Sequence, residues 1–153
     1  MSSHKKNFFR ASATALCFIS GVAFANAPAG RYTNSGGTVY DTRTKLTWQQ
    51  AVPATTYAWA DAKSYCGSAA LAASLGGTGW RLPTVRELST LFDASQTSGP
   101  SIDQGAFPST PAAFFWTSTP VAGSSTEAWT VYFANSGPNP ATSTTLYNVR
   151  CVR

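Results

Sequence analysis

The side chains that most often move protons or hold metals are nearly missing from this chain. Its one histidine is His4 and its one methionine is Met1. His4 lies in an N-terminal segment with the features of an export signal, described below. Beyond that segment no histidine remains to act as a general base, to activate a Ser or Cys nucleophile, or to bind zinc in an H-E-x-x-H helix. Six carboxylates are present: Asp41, Asp61, Glu87, Asp93, Asp103 and Glu127. A glycosidase needs two of them placed across a sugar. Asp41 falls in an expected turn, Asp61 on a helix surface, and Glu87 in a capping box. Asp93, Asp103 and Glu127, in or beside loops, are left as candidates for an acid–base pair. No D-x-D-x-D-G run exists for calcium, so neither a metal nor a cofactor is expected.

The aromatic and polar residues of the C-terminal third offer binding chemistry instead. Tyr132 and Tyr147 sit on β-type runs beside two Ser/Thr/Gly/Pro-rich loops, 119–127 and 134–145. Loops on a rigid scaffold commonly carry function, so Tyr132, Tyr147, Glu127 and Asn139 are the expected ligand contacts. Arg150 alternates with Val149 and Cys151. If those two face the core, Arg150 points to the outer face and joins the same set. An anion-binding patch at Arg150 and Arg153 stays open. Trp48, Trp59, Trp80, Trp116 and Trp129 read as core, the common fate of Trp in a small domain.

Several elements must position these residues. Thr38-Val39-Tyr40 and Leu46-Thr47-Trp48-Gln49 are short β-type runs joined by a turn-like stretch, and predict a hairpin. Residues 57–75 are Ala-rich, with Trp59, Ala62 and Cys66 at helical spacing. They predict one helix with Cys66 facing inward. Thr84 followed three residues later by Glu87 is a capping box, opening a short second helix with Val85, Leu88, Leu91 and Phe92 on one face. Little regular structure is expected from Asp93 to Ala113. The runs 115–118, 128–133 and 146–152 predict strands. The fold class is α+β: two helices packed on a small, mainly antiparallel sheet, with long loops.

The N-terminus reads as a targeting segment. Lys5, Lys6 and Arg10 precede an apolar stretch of 14 residues, Ala11–Phe24, which closes in Ala23-Phe24-Ala25. A basic start, an apolar run and an A-x-A end are the parts of a secretory signal, and a membrane span needs about 20 apolar residues. Cleavage after Ala25 is expected, with Ala27 as the alternative. The expected organisation is a signal peptide over 1–25, a leading segment over 26–37 and one domain over 38–153. The full chain carries 11 Lys and Arg against 6 Asp and Glu. Three of those bases lie in the signal, so the remainder is 8 against 6, a net +2. The bases are scattered, which disfavours a nucleic-acid partner. Signal removal would also take Cys17, leaving Cys66 and Cys151 to form one disulfide in an oxidising compartment. The alternative is two free buried thiols.

Motifs along the chain then become recognisable. Val39-x-Asp41-Thr42-x-Thr44-x-Leu46-x-Trp48, Trp80-Arg81-Leu82-Pro83-Thr84-x-x-Glu87-Leu88, Ile102-Asp103, Phe107-Pro108, Phe115-Trp116-Thr117-Ser118-Thr119, Ala128-Trp129 and Val149-Arg150-Cys151-Val152-Arg153 occur in that order. This series resembles the Lcl C-terminal domain family, a bacterial family of unknown function named for a collagen-like adhesin of Legionella. The resemblance implies a C-type-lectin-like fold in which a cysteine of the first helix pairs with one on the last strand. The adhesin's domain binds sulfated glycosaminoglycans as a trimer. No Gly-x-y repeat precedes the domain here, so the oligomeric state is open, and the net +2 is modest for a polyanion receptor. The expectation is a secreted, periplasmic or surface-exposed bacterial binding or adhesion module and not an enzyme. Its partner would be a glycan, sulfated polysaccharide included, or an envelope protein, with no membrane contact after cleavage. The alternatives are a carboxylate-dependent polysaccharide hydrolase or enzyme-accessory domain, and a structural envelope protein without a small ligand.

Overall fold

A computed structural model describes residues 28–96, 98–134 and 137–153. The signal peptide and its cleavage sites lie outside the described residues. The described residues form two three-stranded antiparallel sheets and three short helices. The first sheet is β1 (Tyr32–Ser35), β2 (Thr38–Asp41) and β3 (Thr47–Gln49), paired in that order. The helices follow as α1 (Trp59–Cys66), α2 (Ala69–Leu75) and α3 (Val85–Ser89). The second sheet is β4 (Phe114–Pro120), β5 (Glu127–Tyr132) and β6 (Gly137–Thr142), with β5 central. No helix among the described residues is long and apolar enough to cross a membrane.

The expected hairpin is present as β2–β3, with Val39 opposite Trp48. The leading segment is more than a connection, because it supplies β1. Ser35 pairs with Thr38, and Gly36 and Gly37 between them both take positive φ, 54° and 78°. That is the backbone of a type I′ hairpin turn, which glycine adopts without a Cβ penalty.

The single helix expected over 57–75 is two helices. Gly67 caps the C-terminus of α1, and the Ser68 hydroxyl accepts from the Leu71 amide to start α2. Tyr57 lies before α1 in a β-bridge to Tyr147. The capping box is formed as the spacing implies, with Thr84 and Glu87 each accepting from the other's backbone N–H.

Two further corrections fall in the C-terminal half. The stretch expected as loop 134–145 contains β6, in full register with β5 from Glu127↔Thr142 to Tyr132↔Gly137. Its Pro138 and Pro140 disguised it. Proline lacks a ladder donor but is tolerated on an edge strand where that position faces away from the neighbour. The run 146–152, expected as a strand, is an extended segment making only isolated bridges. Its Asn148 exchanges bonds with β4, through Asn148 N–H to Phe114 O and Trp116 N–H to Asn148 O. Its Cys151 carbonyl and the carbonyl of the following Arg153 accept from Gln49 and Thr47 of β3. One segment thus stitches both sheets together.

The core has two centres. One gathers Val39, Trp48, Leu88, Ile102, Phe107, Phe115, Val131 and Val152, all fully buried. The other surrounds the Cys66–Cys151 disulfide, with Ala62, Trp80, Leu82, Trp116 and Val149. The disulfide is the expected one.

Candidate functional site

Successive residues of β5 face opposite sides of the second sheet. Ala128, Thr130 and Tyr132 share one side. Phe114 lies opposite Tyr132 on β4, Trp116 opposite Thr130, and Asn139 opposite Thr130 on β6. The Phe114 and Tyr132 rings stack with centroids 4.1 Å apart. The C-terminal segment adds Tyr147, 5.1 Å from Phe114 and edge-on to Trp116 at 5.2 Å. Tyr132 and Tyr147, expected on β-type runs, and Asn139, expected in loop 134–145, are brought by the fold to one face. The shared partner is Phe114, which sequence reasoning did not name.

The three rings Phe114, Tyr132 and Tyr147 are half-buried. Among the described residues the hydroxyls of Tyr132 and Tyr147 meet no protein partner. Tyr65 differs, because its hydroxyl accepts from Gln49 Nε2 at 3.0 Å. Asn139 is tied to its own strand: its Nδ2 donates to Gly137 O at 2.9 Å, and its carbonyl accepts from Thr130 Oγ1 at 2.8 Å.

Arg150 is the principal correction. It is completely buried, not on an outer face. Alternation along the segment does point it away from Val149 and Cys151, but that side is covered too, by the 107–110 stretch. Its Nη1 donates to the Gln49 and Gln50 carbonyls at 2.8 and 2.6 Å, and its Nη2 to Thr110 Oγ1 at 2.7 Å. The guanidinium lies 4.6 Å from the centre of the Phe107 ring. No carboxylate is bonded to it among the described residues. Burial pushes its pKa down to about 9, so it stays charged at neutral pH. It is a structural pin and is unavailable to a ligand. Arg153 is also engaged, over the Trp80 ring at 5.2 Å.

Glu127 opens β5 rather than ending a loop, and it points to the opposite side from Tyr132. That second side holds a feature sequence reasoning missed. Trp129 is not fully buried, unlike Trp48 and Trp116. It floors a groove of about 290 Å³ whose other walls are Val85, Arg86, Ser89 and Pro138. The only available clue was the alternation in β5, which puts Trp129 with Glu127 and Val131.

The family-like motif is the joint beneath this groove. Trp80, Leu82 and Pro83 are buried. The Pro83 carbonyl accepts from the Ser118 amide at 2.7 Å, and the Val85 amide donates to Thr119 Oγ1 at 3.0 Å. Arg81 grips Glu87 with two bonds of 2.8 and 2.7 Å. That grip, with the Thr84 bonds, holds the Glu87 carboxyl at about 2, well below the usual range.

The remaining carboxylates are partly gathered. Asp93 and Asp103 line one cavity of about 230 Å³ with Arg31 and Tyr32. Asp103 accepts from the Gly105 and Ala106 amides at 2.8 and 3.0 Å, and Asp93 from Ser95. Asp41, expected in a turn, is buried and paired with Arg31 at 2.9 Å. Burial opposes ionisation there, but the Arg31 bond and the Arg43 amide outweigh it and lower the Asp41 pKa. Among the described residues no group of three or more His, Cys, Asp or Glu side chains is placed to hold a metal ion.

The family model described as Lcl C-terminal domain matches residues 37–153. No curated protein matches the chain.

Proposed function

The chain belongs to the Lcl C-terminal domain family, and from that premise we propose that it is an exported binding or adhesion module, built on a C-type-lectin-like frame, which recognises a glycan or an envelope protein through its second sheet. The observation that carries this reading is the Phe114–Tyr132–Tyr147 cluster. Its rings are partly exposed, and the hydroxyls of both tyrosines are without protein partners among the described residues. Aromatic groups with an apolar body and a wet polar tip are the usual anchors of recognition surfaces. The reading places the protein outside the cytoplasm, where the buried Cys66–Cys151 bond persists.

The test is a binding screen of the purified protein against a polysaccharide array and against envelope proteins. A hit whose affinity falls about tenfold in Tyr132→Ala or Tyr147→Ala, the size of a modest anchor loss, is the expected result. Absence of any hit in both arms would overturn the reading.

A second reading, a carboxylate-dependent hydrolase, is favoured by one observation: Asp93 and Asp103 line the same cavity. Release of reducing sugar from a polysaccharide panel, abolished by Asp93→Asn and Asp103→Asn, would establish it in place of the first.

A further inference from the structure

We propose that the outer edge of β1 is a docking site for an extended peptide segment of a partner protein, which joins the first sheet as an added strand and sets a basic side chain against Asp93 and Asp103. This inference goes beyond the second-sheet reading and does not depend on it.

The register fixes which groups the edge offers. Asp41 N–H donates to Leu46 O, and Thr42 N–H donates to Arg31 O. Strand β2 therefore turns the main chain of Asp41 and Val39 toward β3, and that of Tyr40 and Thr38 toward β1. Thr33 and Ser35, opposite Tyr40 and Thr38, bond inward. The main-chain N–H and C=O groups of Tyr32 and Asn34 point outward, about 7 Å apart along the strand. That is the repeat at which an added antiparallel strand exchanges its paired bonds. Outside the ladder no described residue bonds to these groups, and Thr33, Asn34 and Ser35 are exposed.

The other sheet edges are closed. Cys151 and Arg153 cover β3, and Asn148 covers β4. Pro138 and Pro140 on β6 have no N–H to give an added strand. The β1 sequence Tyr32-Thr33-Asn34-Ser35 carries neither the charge nor the proline that usually guards an edge. An open edge of this kind is the template for strand addition.

The surroundings select the chemistry of the partner. Two cavities of about 270 and 230 Å³ flank the edge and share Pro28, Tyr32 and Asp103. The larger lies between β1 and the 103–106 stretch, where alternate side chains of an added strand would enter. The smaller sets Asp93 and Asp103 against one guanidinium, that of Arg31. Arg31 is already committed to Asp41 and to the Thr90 carbonyl. This end of the trough therefore holds net negative charge and favours a Lys or Arg side chain. An acidic partner meets the wrong sign of charge. A second copy of the chain would bring the uncharged strand Tyr32–Ser35 and no such cation.

The experiment titrates purified protein with short capped peptides. One alternates Thr and Val around a central Lys, one has Glu in place of that Lys, and one is the Lys peptide N-methylated throughout. Hydrogen exchange of the protein's backbone amides reads the docking. The Lys peptide should slow exchange at Tyr32 and Asn34 about tenfold or more, and change Thr33 and Ser35, already bonded to β2, much less. Affinity should fall about tenfold for the Glu peptide, further for the methylated one, and about threefold in Asp93→Asn. Asn34→Pro removes an outward donor and no inward ladder bond, and should lower affinity about tenfold. The peptide arms keep the test decisive if Asn34→Pro is poorly folded. No peptide binding, equal binding of the Lys and Glu peptides, or binding indifferent to N-methylation overturns this inference and leaves the second-sheet reading to its own screen. Protection of Tyr32 and Asn34 that grows with protein concentration in the absence of peptide overturns it in favour of self-pairing.

Discussion

The two sheets differ in where several of their polar and aromatic side chains lie. In the first, the acidic and amide side chains of β2 and β3 are tied inward. Asp41 is fully buried against Arg31, and Arg31 also donates to the Thr90 carbonyl at 2.7 Å. Gln49 donates to Tyr65, and its Oε1 accepts from the Cys151 amide. In the second, Tyr132 with the neighbouring Tyr147 of the C-terminal segment on one side, and Trp129 on the other, keep ring surface and polar tips outside. Satisfied buried polar groups fix a structure, and unsatisfied exposed ones remain open to a partner. The first sheet is therefore read as a frame and the second as the displayed surface. The C-terminal segment that joins them, carrying Arg150 and Cys151, is where the contrast can be broken.

The largest effect should come from opening the disulfide. The Cys66–Cys151 bond closes 85 residues of chain, which on the chain-entropy model stabilises the fold by about 4.5 kcal/mol. The double variant Cys66→Ala/Cys151→Ala should lose most of that, measured by chemical denaturation in parallel with the oxidised parent. Fluorescence of the first-sheet Trp48 region and a label on β6 should report one shared transition. A frame that survives after the second sheet has melted would break the picture of a single stitched unit.

Arg150 should come next. Arg150→Ala leaves the Gln49 and Gln50 carbonyls and Thr110 Oγ1 without their donor and opens a cavity between Phe107 and Phe115. Unpaired buried acceptors and lost packing together suggest a cost of about 3 kcal/mol. Arg150→Lys should recover little, because an ammonium cannot span acceptors set around a planar fork. Below its lowered melting temperature, Arg150→Ala should bind ligand as the parent does. An affinity loss without a stability loss would make Arg150 part of the display after all.

Arg150 also marks where the sequence stopped being informative. Alternation correctly separated it from Val149 and Cys151, but alternation says nothing about whether the far side is covered. Its cover, Phe107 and Thr110, lies 40 residues away from it at the nearer contact, in a stretch with no periodicity to read. Local rules did better where the physics is local. The capping box at Thr84 and Glu87, the β2–β3 hairpin and the inward Cys66 all followed from neighbours in sequence. Strand β1 was equally readable, because Gly36-Gly37 between polar residues is a hairpin turn pattern, yet the surrounding Ala, Gly and Ser suggested a loose segment. Strand β6 was hidden by its two prolines, whose meaning depends on its being an edge. For the site, Tyr132 and Tyr147 were found by type and position. Their meeting at Phe114 needed the register and the C-terminal bridge, and the groove at Trp129 needed the packing of α3.

The smallest effect is the most specific to the displayed surface. Glu87 caps α3 and grips Arg81, and its pKa is lowered to about 2 mainly by that Arg81 bond. A carboxylate with a depressed folded pKa contributes stability that is fully present above its unfolded pKa and is lost as pH falls through the folded value. The window here runs from the ordinary value of 4.5 down to about 2. Arg81 is 47% exposed, so solvent screening reduces the contribution to about 1 kcal/mol. Stability of the parent should therefore fall by about that amount more than that of Glu87→Gln across this acid window. The two proteins should be compared by denaturation at matched ionic strength. Because α3 is one wall of the Trp129 groove and Tyr132 points to the other side of β5, acidification should also loosen the groove before the tyrosine cluster. The Trp129 indole resonance in the parent should broaden or shift within that window while the Tyr132 ring signals hold. A parent and a Glu87→Gln variant with the same acid profile would remove Glu87 as the brace of the displayed surface.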